Sequence, residues 1–439
     1  MTKNPRPIYR HYALGILTLT YVFNFLDRQL LAILLEPIKA EFGVSDTAMG
    51  LLYGFAFALF YATLAIPVAH FADRNSRRNI LAIAAGLWSL MTVLCGMAGS
   101  FMQLLLFRVG VAVGEAGGVP PSQSMVNDLY PPHQRATAMA IFSSATFIGT
   151  IIAMVGGALI AQHMGWRAAF FIVGAPGLLL ALIVRFTLSE PERGFWDDAA
   201  TNEPQQGSGL RTDLLAFWNI PALRSALIGC GFAGMGGYGI GYWSVAFMMR
   251  VHELSLVQAG IMIGGLGAIV GLLGSLFGGW LCDRLASQHR RWLLRLPAVS
   301  LAISLPLMLM FLGWDESHRI EIGAFAIPFA VLIYCIAGFV GSWWAAPTYV
   351  AVQELVRPNQ RTLVCAVLLF IMNLIGFGLG PPLVGLLSDL FAPEFQTEAV
   401  RYALMCVMMT YIFAMLFYLR ASRAFGPSAH NTDAEEVTP

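Results

Sequence analysis

Four ionisable side chains, Asp27, Arg28, Arg108 and Glu115, stand inside stretches that are otherwise almost wholly apolar. An ionised group at the centre of a bilayer costs at least about 2.5 to 3.5 kcal/mol on insertion scales, so such residues are expected to face a wet, protein-lined cavity rather than lipid. Two of the four can change charge and two cannot. A guanidinium keeps its proton under ordinary conditions, whereas a carboxylate exchanges one. Desolvation favours the protonated acid and a neighbouring guanidinium favours the ionised one, so a movement that swaps these surroundings drives proton uptake or release. The chemistry implied is reversible protonation of Asp27 and Glu115 against the fixed charges Arg28 and Arg108, with Arg108 either tuning the acids or meeting an anionic headgroup. The competing reading is a pair of permanent ion pairs that hold helices together. Buried pairs are weak sources of net stability, and that reading gives no reason for acids in the first half only.

Spacing sets their relation. At 1.5 Å per residue, Asp27 lies roughly two thirds of the way across the first apolar stretch, and Arg108, in a stretch running the other way, falls at similar depth. This makes them natural partners. Glu115 follows Arg108 by two helical turns on nearly the same face, among Gly110, Gly114, Gly117 and Gly118, which allow a neighbouring helix to come close.

The elements that must hold these groups are membrane spans. Hydrophobic residues make up 57% of the 439, charged residues 12%, and the mean hydropathy is +0.69, whereas a soluble domain is about a quarter charged. A span needs about 20 apolar residues, and twelve segments qualify: 12–35, 48–72, 79–98, 101–127, 135–162, 167–188, 222–249, 256–282, 292–313, 321–352, 361–390 and 398–420. The first is too long for the apolar core of a signal peptide. With the amino terminus inside, nineteen of the 26 Lys and Arg fall in cytoplasmic segments, against five outside, Lys39, Arg167, Arg250, Arg319 and Arg401. This asymmetry predicts a multi-pass plasma (inner) membrane protein with both termini cytoplasmic. A net charge of +1 argues against nucleic acid as a partner.

The polar interval between the sixth and seventh spans reads as a linker. The expected organisation is therefore 1–188, a first six-helix bundle; 189–221, a cytoplasmic linker; 222–422, a second six-helix bundle; and 423–439, a cytoplasmic tail. The halves repeat each other: Pro121, Asp128, Leu129, Pro132, Arg135 and Ala140 match Pro347, Glu354, Leu355, Pro358, Arg361 and Ala366 at one constant offset, and Asp73-Arg74 is echoed by Asp283-Arg284. The fold class expected is an all-α membrane protein, twelve transmembrane helices in two pseudo-symmetric six-helix bundles. That is the layout of carriers that rock two bundles about a central site.

Asp73-Arg74-Asn75-Ser76-Arg77-Arg78, its counterpart Gly279-Trp280-Leu281-Cys282-Asp283-Arg284, and Arg108-Val109-Gly110 resemble signature segments of the major facilitator superfamily over nearly the whole chain. Asn24-Phe25-Leu26-Asp27-Arg28, with Gly114-Glu115-Ala116 and Asp128-Leu129-Tyr130-Pro131, is similar to the spinster family, whose members move lysophospholipids and sphingolipid-like amphiphiles. Organic-anion symporters of the superfamily also carry the first of these elements. The resemblance implies a cytoplasmic gate in which Asp73 meets the start of the eleventh span near Gln360 and Arg361 and Asp283 meets the fifth near Gln134 and Arg135, with Arg74, Arg78 and Arg284 beside them. Ala69 stands where the pattern expects glycine.

Uncharged groups with suitable depth for substrate are Asn24, Tyr53, Tyr61, Ser122 and Gln123 in the first half. Tyr238, Trp343, Trp344, Tyr349 and Asn373 are their counterparts in the second, whose aromatic, polar-poor character suits an acyl chain better than a sugar. The sequence holds no metal-ligand spacing, nucleophile elbow or phosphate-cradling loop, so neither an enzyme nor a cofactor is expected. The implied partners are an amphiphilic lipid-like substrate, protons and the bilayer, and a monomer suffices. The alternatives are proton-coupled symport of small organic anions and a passive lipid channel or scramblase.

Overall fold

The computed structural model describes residues 7–196, 210–314, 319–322, 325–357 and 360–425. Ten helical stretches are long and apolar enough to span a membrane, and the pair Thr212–Asn219 and Pro221–Arg250, bent by 92°, supplies an eleventh. The last stretch, Leu363–Ala424, turns at Gln396, whose φ of 49° breaks the helix, and so contains two of the expected spans. Twelve spans are thereby accounted for among the described residues.

The helices begin where short polar side chains can cap them. Ser45 accepts from the backbone N–H of Ala48 at 3.1 Å, Ser76 from Asn79 at 3.3 Å and Ser100 from Gln103 at 3.3 Å, each satisfying a donor that has no intrahelical partner. Several spans are not continuous. The second breaks at Gly54 into Asp46–Tyr53 and Phe55–Arg74. The fourth stops at Glu115 and restarts as Val119–Leu129, because Pro120 and Pro121 offer no N–H and crowd the carbonyls one turn earlier. π-Helical turns interrupt the fifth, eighth and eleventh spans at Ile152–Gly156, Gly260–Gly265 and Met372–Phe377. The interruptions follow the internal repeat: the offset that carries Asp73 onto Asp283 also carries Gly50 and Gly54 onto Gly260 and Gly264.

One element departs from the expected helices. Arg319–Ile322 and Phe325–Pro328 form an antiparallel two-stranded hairpin, with Ile320 opposite Ile327, so the tenth span begins at Phe329 rather than near 321.

The chain forms two compact units, Met1–Glu203 with Ser244–Ala268, and Pro204–Trp243 with Ile269–Pro439. The end of the seventh span and the start of the eighth thus belong with the first unit. There, Gly264 abuts Met154 so closely that an added Cβ would lie 2.2 Å from the Met154 Cβ. Of the interval 189–221, residues 197–209 lie outside the described residues, and Leu210–Asn219 is a helix. Most of the 423–439 tail also lies outside them.

Candidate functional site

The four intramembrane charges of the first unit meet as two crossed ion pairs. Asp27 and Arg28 project from the first helix, Pro7–Phe42, and Arg108 and Glu115 from Phe101–Glu115. Successive residues on a helix point about 100° apart, so Asp27 and Arg28 cannot face each other and each turns to the opposite helix. Arg108 Nη1 lies 3.2 Å from Asp27 Oδ2. Arg28 Nη2 donates to Glu115 Oε2 at 2.6 Å and Arg28 Nε to the same oxygen at 3.1 Å.

The break at Gly54 sets Phe57 between the two cations. The guanidinium carbons of Arg28 and Arg108 lie 4.8 and 5.6 Å from the Phe57 ring centre, and Tyr61, one turn on, is stacked on Phe57 and also lies 4.8 Å from Arg28. In apolar surroundings an arginine over a ring face is held by about 1 to 2 kcal/mol. Gly114 brings the helix carrying Glu115 against Arg77–Gly96: a Cβ there would stand 2.6 Å from the backbone nitrogen of Trp88. The close approach leaves no room for a side chain.

Burial separates the four. Asp27 and Arg108 are 1% exposed and Glu115 is fully buried, while the Arg28 side chain keeps 14% of its surface. Of the four, only Arg28 keeps exposed side-chain surface, so Asp27, Arg108 and Glu115 do not face the wet cavity expected of them in this conformation. Asp27 Oδ1, Glu115 Oε1 and Arg108 Nε find no hydrogen-bond partner among the described residues. Each acid therefore commits one oxygen to a cation and keeps the other open, where a proton can add while the first bond persists. Both polar atoms of the buried Asn24 amide likewise find no hydrogen-bond partner among the described residues, and Asn24 lines a crevice, too narrow for a water molecule, shared with Thr20, Tyr21, Trp88, Ser122 and Phe142.

The other sequence-selected residues fall out as follows. Tyr53 is buried and donates its hydroxyl to the Leu31 carbonyl, Ser122 donates to Gly118 O at 2.8 Å, and Gln123 is half-buried. In the second unit, Tyr238 lies edge-on to Phe377 at 5.3 Å and Trp343 joins Phe277 and Phe339 in a ring cluster. Tyr349 points its hydroxyl at Met372 Sδ, 3.9 Å away, and Asn373 donates to Leu369 O. Trp344 sits in a short 3₁₀ turn, half-buried.

Among the loop residues, the side chain of Asp73 lies outside the described residues. Arg74, Asp283 and Arg361 are exposed. Arg284 packs on Trp280, Arg135 donates to the Asn127 and Tyr130 carbonyls, and Arg78 donates to Leu188 O at 3.3 Å.

The residue of this loop that the sequence did not single out is Arg77. Its side chain is 2% exposed and pairs with Asp128 and with Glu190, 2.9 Å away, while donating to Ser124 and the Pro191 carbonyl at 2.8 Å each. The repeated Asp128 was the available signal. In the second unit its counterpart Glu354 likewise takes an arginine, Arg290, at 3.2 Å. A further cluster unites Arg250, at the end of Pro221–Arg250, with Glu36 at 2.7 Å and Asp46 at 2.6 Å, and Lys39 with Asp46 at 2.6 Å.

Two discontinuous, internally repeated helical units with charges buried in one of them form the setting in which comparison with known proteins becomes decisive. The family model of the Major Facilitator Superfamily matches residues 17–368. The chain belongs to that superfamily. It is 33% identical over 416 residues to an MFS-type efflux pump of Mycolicibacterium smegmatis, covering 94% of this chain and 92% of that one. A solved bacterial homologue of the human lysosomal transporter Spinster, inward-facing and unoccupied, superposes with a TM-score of 0.86 at 32% identity, over 96% of this chain and 98% of the other. A probable L-galactonate transporter of Escherichia coli is 28% identical over 62% of this chain and 61% of its own length. The protein is accordingly a multi-pass membrane transporter of the spinster-like kind, and the crossed ion pairs lie within the part of it that the superfamily model covers.

Proposed function

We propose that this transporter moves an amphiphile such as a lysolipid across the membrane by alternating access coupled to protons, with Asp27 and Glu115 as the proton carriers. The observation that carries the reading is the pair of buried carboxylates, each bonded to a guanidinium through one oxygen and open at the other. Arg28, the member of the cluster with exposed surface, is the natural first contact for an anionic headgroup. An approaching anion draws Arg28 away from Glu115. A buried charge without its counter-charge costs several kcal/mol, so a proton enters Glu115 as the cation leaves. Arg108 keeps Asp27 in place and transmits the change through Phe57, against which both guanidiniums rest.

In this reading Asp73, Arg74, Arg78, Asp283, Arg284, Arg135 and Arg361 form the cytoplasmic gate, and the half-buried Tyr238, Trp343 and Tyr349 contact the acyl chain. Asn24, whose amide atoms have no partner among the described residues, meets an uncharged polar group of the substrate together with Tyr61 and Gln123. The aromatic lining of the second unit and the likeness to the Spinster homologue support the lipid-like substrate.

A second reading is uptake of a small organic acid with Arg28 or Arg108 as carboxylate receptor, which the likeness to a probable L-galactonate transporter favours. Reconstituted vesicles separate the two. Wild-type protein is offered a labelled lysophospholipid or a labelled sugar acid, with and without a pH gradient. Gradient-dependent lysolipid movement that saturates supports the first reading, accumulation of the sugar acid alone replaces it with the second, and non-saturating movement indifferent to Glu115→Gln indicates a passive path.

A further inference from the structure

Away from the charged cluster, helices Arg77–Gly96 and Trp166–Thr187 pack along a shared seam that is tightest at Gly174 and Gly177. At Gly174 an added Cβ would lie 2.8 Å from Val93 and 2.9 Å from the Ser89 carbonyl, and at Gly177 it would lie 2.3 Å from Ser89 Oγ. At Gly86 the nearest atom would be the Ala181 Cβ at 3.8 Å. Over this less tightly packed stretch of the seam, on its outward side, lies an open groove of about 470 Å³ lined by Ala82, Ile83, Gly86, Leu178, Leu182 and Arg185. Its rim is apolar and turned outward, with Ile83 72% and Leu182 54% exposed. On a membrane-spanning chain such a surface faces lipid.

One charge stands at the mouth. Arg185 is exposed, in the last turn of its helix, and makes no ion pair with a described residue; its guanidinium carbon lies 5.7 Å from the Phe186 ring. A long basic side chain near a helix end reaches the headgroup layer while its stem stays among acyl chains. Seven residues separate Arg185 from Leu178, about 10 Å of helix, so the cation and the groove line up along one lipid molecule.

We propose that this groove is a binding site for an anionic phospholipid, with the phosphate at Arg185 and an acyl chain laid over Gly86 between Ile83 and Leu182. Charge complementarity selects the occupant. A basic residue near an anionic surface contributes about 1 kcal/mol, which sets a preference of roughly fivefold over a zwitterionic lipid. The lipid would bridge the two helices along this groove and is distinct from any transported molecule.

The test is competitive retention. Purified full-length transporter is incubated with equal amounts of phosphatidylglycerol and phosphatidylcholine, and native mass spectrometry counts what stays bound. Wild type should retain phosphatidylglycerol several-fold over phosphatidylcholine. Arg185→Gln should bring the two lipids level, and Gly86→Leu, which fills the groove with its Cβ at ordinary contact distance, should reduce retention of both although Arg185 is intact. Circular dichroism verifies that both surface variants are folded. Equal retention of the two lipids by wild type, a preference that survives Arg185→Gln, or full retention by Gly86→Leu would overturn the assignment.

Discussion

Arg108→Gln removes the more deeply buried cation of the site, and its effect can be worked out from the geometry. Arg108 and Asp27 are 3.2 Å apart with both side chains 2% exposed, and Asp27 Oδ1 has no hydrogen-bond partner among the described residues. Removing one member of a buried pair costs about 3 to 5 kcal/mol, chiefly because the other is left uncompensated, whereas replacing both by neutral groups is often close to neutral. Asp27→Asn should cost somewhat less than Arg108→Gln, since the abandoned guanidinium keeps the Phe57 ring at 5.6 Å, a contact of about 1 kcal/mol. The double variant should recover most of the loss, so the coupling energy should approach the sum of the two single losses, about 5 kcal/mol or more. Denaturant unfolding of detergent-purified protein, followed by tryptophan fluorescence, measures all four corners of the cycle. If the double variant loses as much as the two singles together, within about 0.5 kcal/mol, the pair is not coupled and the reasoning fails.

Three further outcomes follow from other sites. Gly114→Val places atoms 2.6 Å from the Trp88 backbone, so the two helices must separate; overpacking of this kind costs about 1 to 3 kcal/mol and should also pull Glu115 from Arg28, seen as a lowered melting temperature and lost uptake, while a variant as stable and active as wild type would deny the contact. Arg77→Met strands Asp128 and Glu190 and should destabilise the protein by about 3 kcal/mol, with Arg77→Met/Asp128→Asn partly restored; equal stability of single and double variants would count against the buried strut. Burial alone would push the Glu190 carboxyl up, but Arg77, the Arg78 backbone N–H and the Ser76 hydroxyl outweigh it and leave it below the ordinary 4.5. Its contribution is therefore present above that value and lost as pH falls through the lower folded one, so Glu190→Gln should flatten the acid side of the stability profile and leave the slope near neutral pH unchanged. An unaltered acid limb would show that Glu190 is not linked to folding.

What could be read without coordinates followed from the solvent. A bilayer obliges each crossing segment to satisfy its own backbone, so long apolar runs announced the spans, and depth along opposed helices placed Asp27 beside Arg108. The Arg28–Glu115 bond was harder to see, because sequence adjacency draws the eye to Asp27-Arg28 while the helical rotation sends the two apart. The interruption after Glu115 was written in Pro120 and Pro121, whereas the break at Gly54 has no proline beside it, and its effect, setting Phe57 against two guanidiniums from other helices, shows only in the fold. The Arg319–Pro328 hairpin was hidden for a different reason: a short apolar run reads the same as strand or as buried helix. Arg77 stayed unmarked because Asp128 and Glu190 reach it only once the chain has folded back across intervening spans.

The central claim concerns protons, and one recording addresses it. Vesicles containing the transporter and a trapped pH indicator receive substrate with no imposed gradient, and proton movement is followed beside substrate counterflow in wild type and in Asp27→Asn/Glu115→Gln. The account predicts that substrate addition shifts internal pH in wild type and leaves it flat in the double variant, while counterflow of substrate persists. A pH change of wild-type size in the double variant would contradict it.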